Sequence, residues 1–250
     1  MRRSLIVANW KMNCTISEAR DLVSSLKPAL TKVKGVDVVI CPPFIPLGIV
    51  AEILDGTDIE VGAQDMYWEE NGAYTGEVSP GMVAEVCQYV IVGHSERRQL
   101  FGDNDDRVCK KVLAAQQFGL TPIICVGESL DQRDSGCAEQ VIEGQLLAAI
   151  SGSDPTHKVV LAYEPIWAIG TGRAASSNDA DLMMNHIRNV AHTHWGSVGS
   201  DMPILYGGSV THDNVRDYVN CPNIDGVLVG GASLNTDKFH ALVQSVAGIT

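Results

Sequence analysis

Eight times along this chain a run of strand length returns, most often rich in Val and Ile and without in–out alternation. The runs fall at residues 5–10, 36–41, 59–63, 89–93, 121–126, 159–163, 203–207 and 226–230. A strand that is apolar on both sides must be covered on both sides, which is the condition of a parallel sheet flanked by helices.

The stretches between the runs carry helical spacing. Ala19, Leu22, Val23 and Leu26 follow an i, i+3, i+4, i+7 pattern, and Phe239, Leu242, Val243 and Val246 repeat it near the C-terminus. Start signals agree: Thr15 and Glu18 have capping-box spacing, and Ser79 sets a cap before the first-turn residue Pro80. About eight strands alternating with about eight helices imply βαβ units. Eight units in 250 residues are the usual size of a closed (β/α)8 barrel, the α/β fold expected here. A doubly wound open sheet has the same alternation. No domain boundary is visible, so residues 1–250 are expected to form a single domain.

Charge narrows the partners. Eighteen basic and 30 acidic residues leave a net charge of −12, which disfavours nucleic acid and anionic membranes. The global field would also repel an anionic substrate, so an anion site must be made locally from lysine, backbone N–H groups and helix N-termini. Two early arginines before an apolar run imitate a leader, but Asn9 and Lys11 end the run too soon, and no stretch approaches membrane-spanning length. Seven scattered cysteines without a C-x-x-C pair read as free thiols in a reducing compartment, and cytoplasm is the simplest location.

In a barrel, chemistry belongs at the C-terminal strand ends. The first run ends Asn9-Trp10-Lys11, placing Asn9 and Lys11 on one face, suited to an anion or a polarised carbonyl. Read alone, Lys11 fits a surface lysine better, and its pairing with Asn9 is what points toward a site. The fourth run ends in His94, at a helix start that should keep the imidazole neutral and able to donate to a substrate oxygen. A turn-capping histidine is the competing reading, and Glu96, Arg97 and Arg98 fit a solvated first turn. The sixth run delivers Glu164 followed by Pro165, then a loop that is apolar for its position and bounded by glycines. Burial at a strand end should raise the carboxyl pKa toward a useful base, and the loop reads as a water-excluding lid. The seventh and eighth runs end in Gly207-Gly208-Ser209 and Gly230-Gly231, two glycine-rich turns at the strand ends where barrels hold phosphate.

Three patterns carry less. Gly170-Thr171-Gly172 opens a G-x-G-x-x-A match, but six residues part it from the strand and residues 185–195 hold no acid. His192 and His194 lie two apart on a helix, where side chains diverge, and read as a solvated face rather than a metal site. Residues 103–106 lack the glycine and distal glutamate of a calcium loop and read as a helix cap.

NWKMN at 9–13, GHSERR at 93–98, YEPIWAIGTG at 163–172, YGGSV at 206–210 and DGVLVGGASL at 225–234 together resemble the triosephosphate isomerase family, over essentially the whole chain and in that family's order. The resemblance implies a TIM barrel that interconverts dihydroxyacetone phosphate and glyceraldehyde 3-phosphate without cofactor or metal. It implies Glu164 as base, His94 as electrophile, and Lys11 and Asn9 at the substrate. Glu96 would support them, and phosphate would rest on Gly170, Ser209, Gly230 and Gly231. Residues 165–175 would be the lid. Residues 64–79, long and aromatic for a connection, resemble the family's interdigitating loop in a homodimer, where Thr75 reaches the partner's site and Cys14 lies near the interface. Two departures stand out: Cys14 occupies a position where many members carry glycine, and Arg173-Ala174-Ala175 ends the lid where lysine and a β-branched residue are frequent. They bear on dimer strength and lid rates rather than on the chemistry. Other readings are a different phosphate-binding barrel isomerase or epimerase, and a non-catalytic sugar-phosphate binder on the same fold.

Overall fold

A computed structural model describes residues 3–168 and 175–248. Eight strands form one sheet: β1 (Ser4–Asn9), β2 (Val36–Cys41), β3 (Ile59–Ala63), β4 (Tyr89–Val92), β5 (Thr121–Val126), β6 (Val160–Tyr163), β7 (Ile204–Tyr206) and β8 (Gly226–Val229). Each pairs in parallel with its successor, and β8 returns to β1 with Leu5 opposite Gly226 and Ala8 opposite Val229. This closure makes the sheet a TIM barrel and removes the open-sheet alternative.

The runs lack alternation in hydrophobicity but alternate in destination. Leu5, Val7, Val39, Cys41, Ile91, Ile123, Cys125, Val160, Ala162, Leu205 and Leu228 fill the barrel interior. Their neighbours, such as Ile6, Ile40, Val92, Leu161, Tyr206 and Val229, pack against the outer helices. Both faces are dry, so both are apolar.

The helices form where the caps announce them. Thr15 and Glu18 close a reciprocal box at the start of Ile16–Leu30, which buries Ala19, Val23, Leu26 and Leu30. Ser79 Oγ accepts the Met82 N–H at the start of Pro80–Ala84. The helix Thr236–Ala247 buries Phe239, Leu242, Val243 and Val246, the stripe its spacing marks. The expected count of about eight helices is too low. Several strand-to-strand segments hold two, such as Ser95–Leu100 and Asp105–Gln117 between β4 and β5. Asn104 causes that break by accepting the Arg107 N–H at 2.9 Å, which starts a new helix within the acidic stretch.

Candidate functional site

The interior alternation predicts what stands at the mouth of the barrel. One step of two beyond the last inward apolar residue lie Asn9 on β1, Gly127 after β5, Glu164 after β6, Gly207 after β7 and Gly230 after β8. The glycines make the room that the polar groups use. A Cβ on Gly127 would stand 1.9 Å from the Glu164 carbonyl oxygen, one on Gly207 would meet Glu164 Cγ at 3.0 Å, and one on Gly230 would meet Lys11 Cε at 3.3 Å. An open cavity of about 550 Å³ results at the C-terminal end, lined by Asn9, Lys11, His94, Glu164, the 207–213 turn and the 230–235 turn.

Glu164 is buried, with 2% of its surface exposed. One oxygen lies 3.0 Å from His94 Nε2, and the other accepts the Ser95 N–H at 2.8 Å. Burial alone would raise its pKa, as the sequence leads one to expect. His94, the Ser95 N–H and Lys11 outweigh burial here and hold the carboxyl below its ordinary value. The expectation of a raised pKa is therefore corrected for this arrangement: the carboxylate is buried but well partnered.

His94 caps the helix Ser95–Leu100, with Nδ1 accepting the Glu96 N–H at 3.2 Å. Burial opposes a charge on the ring, but the Glu164 carboxylate, with Glu96, outweighs it and lifts the imidazole above its ordinary pKa. That differs from the simple depression expected at a helix start. A second proton would have to enter at Nδ1, which already faces an N–H donor, so the geometry accommodates a ring protonated on Nε2 alone. Glu164 contributes most of that lift. Once that carboxylate turns away, burial, Lys11 and the Glu96 N–H favour neutral His94, opposed only by the Glu96 carboxylate, 3.8 Å from Nδ1 and itself paired with Lys11.

Lys11 sits in the left-handed region with φ 53°. Such a conformation costs about 1–3 kcal/mol and survives only where neighbours enforce it. Asn9 Oδ1 accepts the Lys11 N–H at 3.0 Å, and Gln64 Nε2 donates to the carbonyls of Lys11 at 2.9 Å and Cys41 at 2.8 Å. The side chain then reaches Glu96, with Nζ 2.5 Å from Oε1. Gln64, one residue past β3, was not singled out from the sequence, although the strand-end rule that marks Asn9 applies to it. Replacing Gln64 by Leu is expected to cost about 1–3 kcal/mol of stability, because the Lys11 carbonyl loses its partner, and roughly tenfold in turnover through a displaced Lys11. Urea unfolding beside steady-state kinetics checks this; a variant unchanged in both would mean that Lys11 holds its conformation without Gln64. Cys14 also has positive φ, 75°, a conformation glycine adopts without strain, which gives a physical reason for the glycine that the family resemblance associates with this position.

Around the rim, Ser209 Oγ donates to the Ala168 carbonyl at 3.0 Å, joining the turn after β7 to the segment after Glu164. Gly231 opens the 3-10 turn Gly231–Leu234. Glu128, fully buried and not foreseen, accepts Tyr163 O–H at 3.0 Å and Trp167 Nε1–H at 2.9 Å, which seats the start of the expected lid. Gly170 and most of that lid lie outside the described residues. Thr75 is exposed within the 64–79 segment and does not line the cavity of its own chain. His192 is a helix-end group, with Nδ1 3.1 Å from the Gly196 carbonyl and 2.8 Å from Ser200 Oγ.

Fold and site define the class: a (β/α)8 barrel with a carboxylate, a histidine and a lysine converging on a glycine-lined mouth. The family model for triosephosphate isomerase matches residues 4–246. The triosephosphate isomerase of Dehalococcoides mccartyi is 46% identical over 250 residues, covering 100% of this chain and 99% of its own length. That of a Thermoanaerobacter species is 49% identical over 248 residues, covering 98% of this chain and 100% of its own. The crystal structure of triosephosphate isomerase from Bartonella henselae superposes with a TM-score of 0.89 at 33% identity, over 97% of this chain and 98% of that one. The chain belongs to the triosephosphate isomerase family, and it is an isomerase.

Proposed function

We propose that this chain interconverts dihydroxyacetone phosphate and D-glyceraldehyde 3-phosphate through an enediolate, as one single-domain subunit of a cytoplasmic homodimer in glycolysis and gluconeogenesis. The observation that carries the reading is the convergence of Glu164, His94 and Lys11 on one cavity, with Glu164 and His94 3.0 Å apart.

Glu164 takes the carbon-bound proton next to the carbonyl and returns it to the neighbouring carbon. To do so it exchanges its bonds to His94 and the Ser95 N–H for the substrate. His94, freed and neutral, donates from Nε2 to the substrate oxygens and moves protons between them. Lys11 stabilises the charge that develops on the enediolate, with Asn9 and Glu96 setting its position. Backbone N–H groups at Gly170, Ser209, Gly230 and Gly231 hold the phosphate, far from the reacting carbons, so its binding energy positions them. Electrons only redistribute within one substrate, so the chemistry calls for no cofactor and no metal. Segment 64–79 supplies the homodimer contact, supported by the exposure of Tyr74 and by the stack of Tyr67 on Trp68, 3.9 Å between centroids. In that pairing Thr75 reaches the partner's cavity.

The test is isomerisation of glyceraldehyde 3-phosphate, coupled to a dihydroxyacetone-phosphate reductase, together with solvent-deuterium incorporation into substrate. Turnover with deuterium at carbon is the expected result. Neither turnover nor exchange would leave a sugar-phosphate binder; turnover of a different sugar phosphate alone would move the assignment to another barrel isomerase.

A further inference from the structure

The cavity has a charge problem. The chain carries −12, and the groups lining the mouth are largely neutralised from within. Lys11 is held by Glu96 at 2.5 Å, His94 faces Glu164 at 3.0 Å, and His212 faces Asp213 at 3.0 Å. Of the cavity's two lysines, only Lys238 makes no ion pair among the described residues. Counting described lining residues with neutral histidines, Lys11 and Lys238 balance Glu164 and Asp213, so the mouth without Lys238 is net negative. A doubly charged phosphate would then approach a negative opening on a negative protein.

Local structure does not account for a lysine at this point. Lys238 is exposed in the first turn of Thr236–Ala247, its N–H bound by Asn235 Oδ1 at 3.0 Å. The macrodipole disfavours a cation there and favours acids such as the adjacent Asp237. Nor does it shield a neighbour, as Lys111 does for Asp65 and Asp103. Other lysines without an ion pair among the described residues lie elsewhere: Lys158 just before β6 at the opposite, N-terminal end of the barrel, and Lys32 beside the C-terminal helix.

We propose that Lys238 is a further substrate-recognition residue, a mouth cation that draws the dianionic phosphate group into the cavity and adds to the charge of Lys11, which is paired with Glu96. This rests on the cavity being the triose-phosphate site. The effect is electrostatic and partly long-ranged, so it depends on ionic strength in a way a packing role does not.

The test compares wild type, Lys238→Gln, Lys238→Arg and Lys158→Gln, the last making the same charge change at the far end of the barrel. Two quantities are followed as salt is raised: kcat/KM for glyceraldehyde 3-phosphate, and the competitive inhibition constant of inorganic phosphate, whose binding fluorescence or calorimetry also reports. Lys238→Gln is expected to lower kcat/KM and phosphate affinity by about three- to tenfold at low salt, with both differences shrinking as salt rises. Lys238→Arg should retain most of both, and Lys158→Gln should track wild type. Lys238→Gln matching Lys158→Gln, or a loss that salt does not diminish, would overturn the proposal. Absence of turnover in wild type would defeat the isomerase reading alone, because phosphate affinity would still separate the two glutamine variants.

Discussion

Replacing Glu164 by Gln is expected to lower kcat by about 10²–10⁴-fold, the range a positioned general base supplies. The substitution keeps size and the capacity to accept the Ser95 N–H, now 2.8 Å from the carboxylate, so the fold should survive. What disappears is basicity. The loss should appear in kcat far more than in KM, because an amide neither repels the substrate nor alters the phosphate cradle. Glu164→Asp separates distance from charge: it keeps a carboxylate but withdraws it by one methylene, and misplacement of about 1 Å costs roughly 10²-fold. Steady-state kinetics of both variants beside wild type decide the matter, and a normal kcat in Glu164→Gln would remove Glu164 as the base. The glycines at 127 and 207 fit this sensitivity, since a Cβ at either position would crowd Glu164 and displace it.

The second large effect concerns stability. Lys111 is buried with Asp65 at 2.7 Å and Asp103 at 2.8 Å, and Arg97 reaches the same two carboxylates at 3.0 and 2.9 Å. Lys111→Met should cost about 3–5 kcal/mol, because removing one partner leaves buried charge uncompensated. Burial already pushes the Asp65 pKa up against the pull of Lys111 and Arg97, so in the variant it rises further. A carboxyl whose folded pKa lies above its unfolded value destabilises the protein at neutral pH, and that penalty is relieved as pH falls. The gap between Lys111→Met and wild type should therefore narrow toward acid pH in denaturant unfolding. A gap that widens toward acid pH would show that the carboxylates had found other partners. The cluster also ties Arg97, three residues past His94, to Asp65 at the root of the 64–79 segment, so lost stability here would loosen the helix that carries the histidine.

Much of this molecule was open to a reader of the chain alone. Doubly apolar strands announce a parallel sheet because only a residue dry on both sides of a strand escapes alternation, and eight of them in this length suggest a barrel. Thr15 with Glu18 and Ser79 with Pro80 mark helix starts through bonds a few residues long, which is why they were readable. Asn9, His94, Glu164, Gly207 and Gly230 were legible as strand-end residues; the interior register explains why Asn9, Glu164, Gly207 and Gly230 meet, while His94, three past the inward Ile91, is placed as the cap of the helix Ser95–Leu100. Gln64, Ser95, Glu128 and Lys238 were not singled out. Ser95 acts through its backbone N–H, which every residue but proline carries. Gln64 and Glu128 matter through atoms of segments far away in sequence.

What the chain determined by itself is local: which stretches are strands, where helices begin, and which polar groups stand at strand ends. Whether the sheet closed was decided only in three dimensions, by the pairing of Leu5 with Gly226. The same holds for the pKa of Glu164. Burial, which the sequence implies, raises it, while partners from two other strand ends, His94 with Ser95 and Lys11, pull it down and prevail. Electrostatic energy depends on distance through space, and residues 11, 94 and 164 acquire their distances only when the barrel closes.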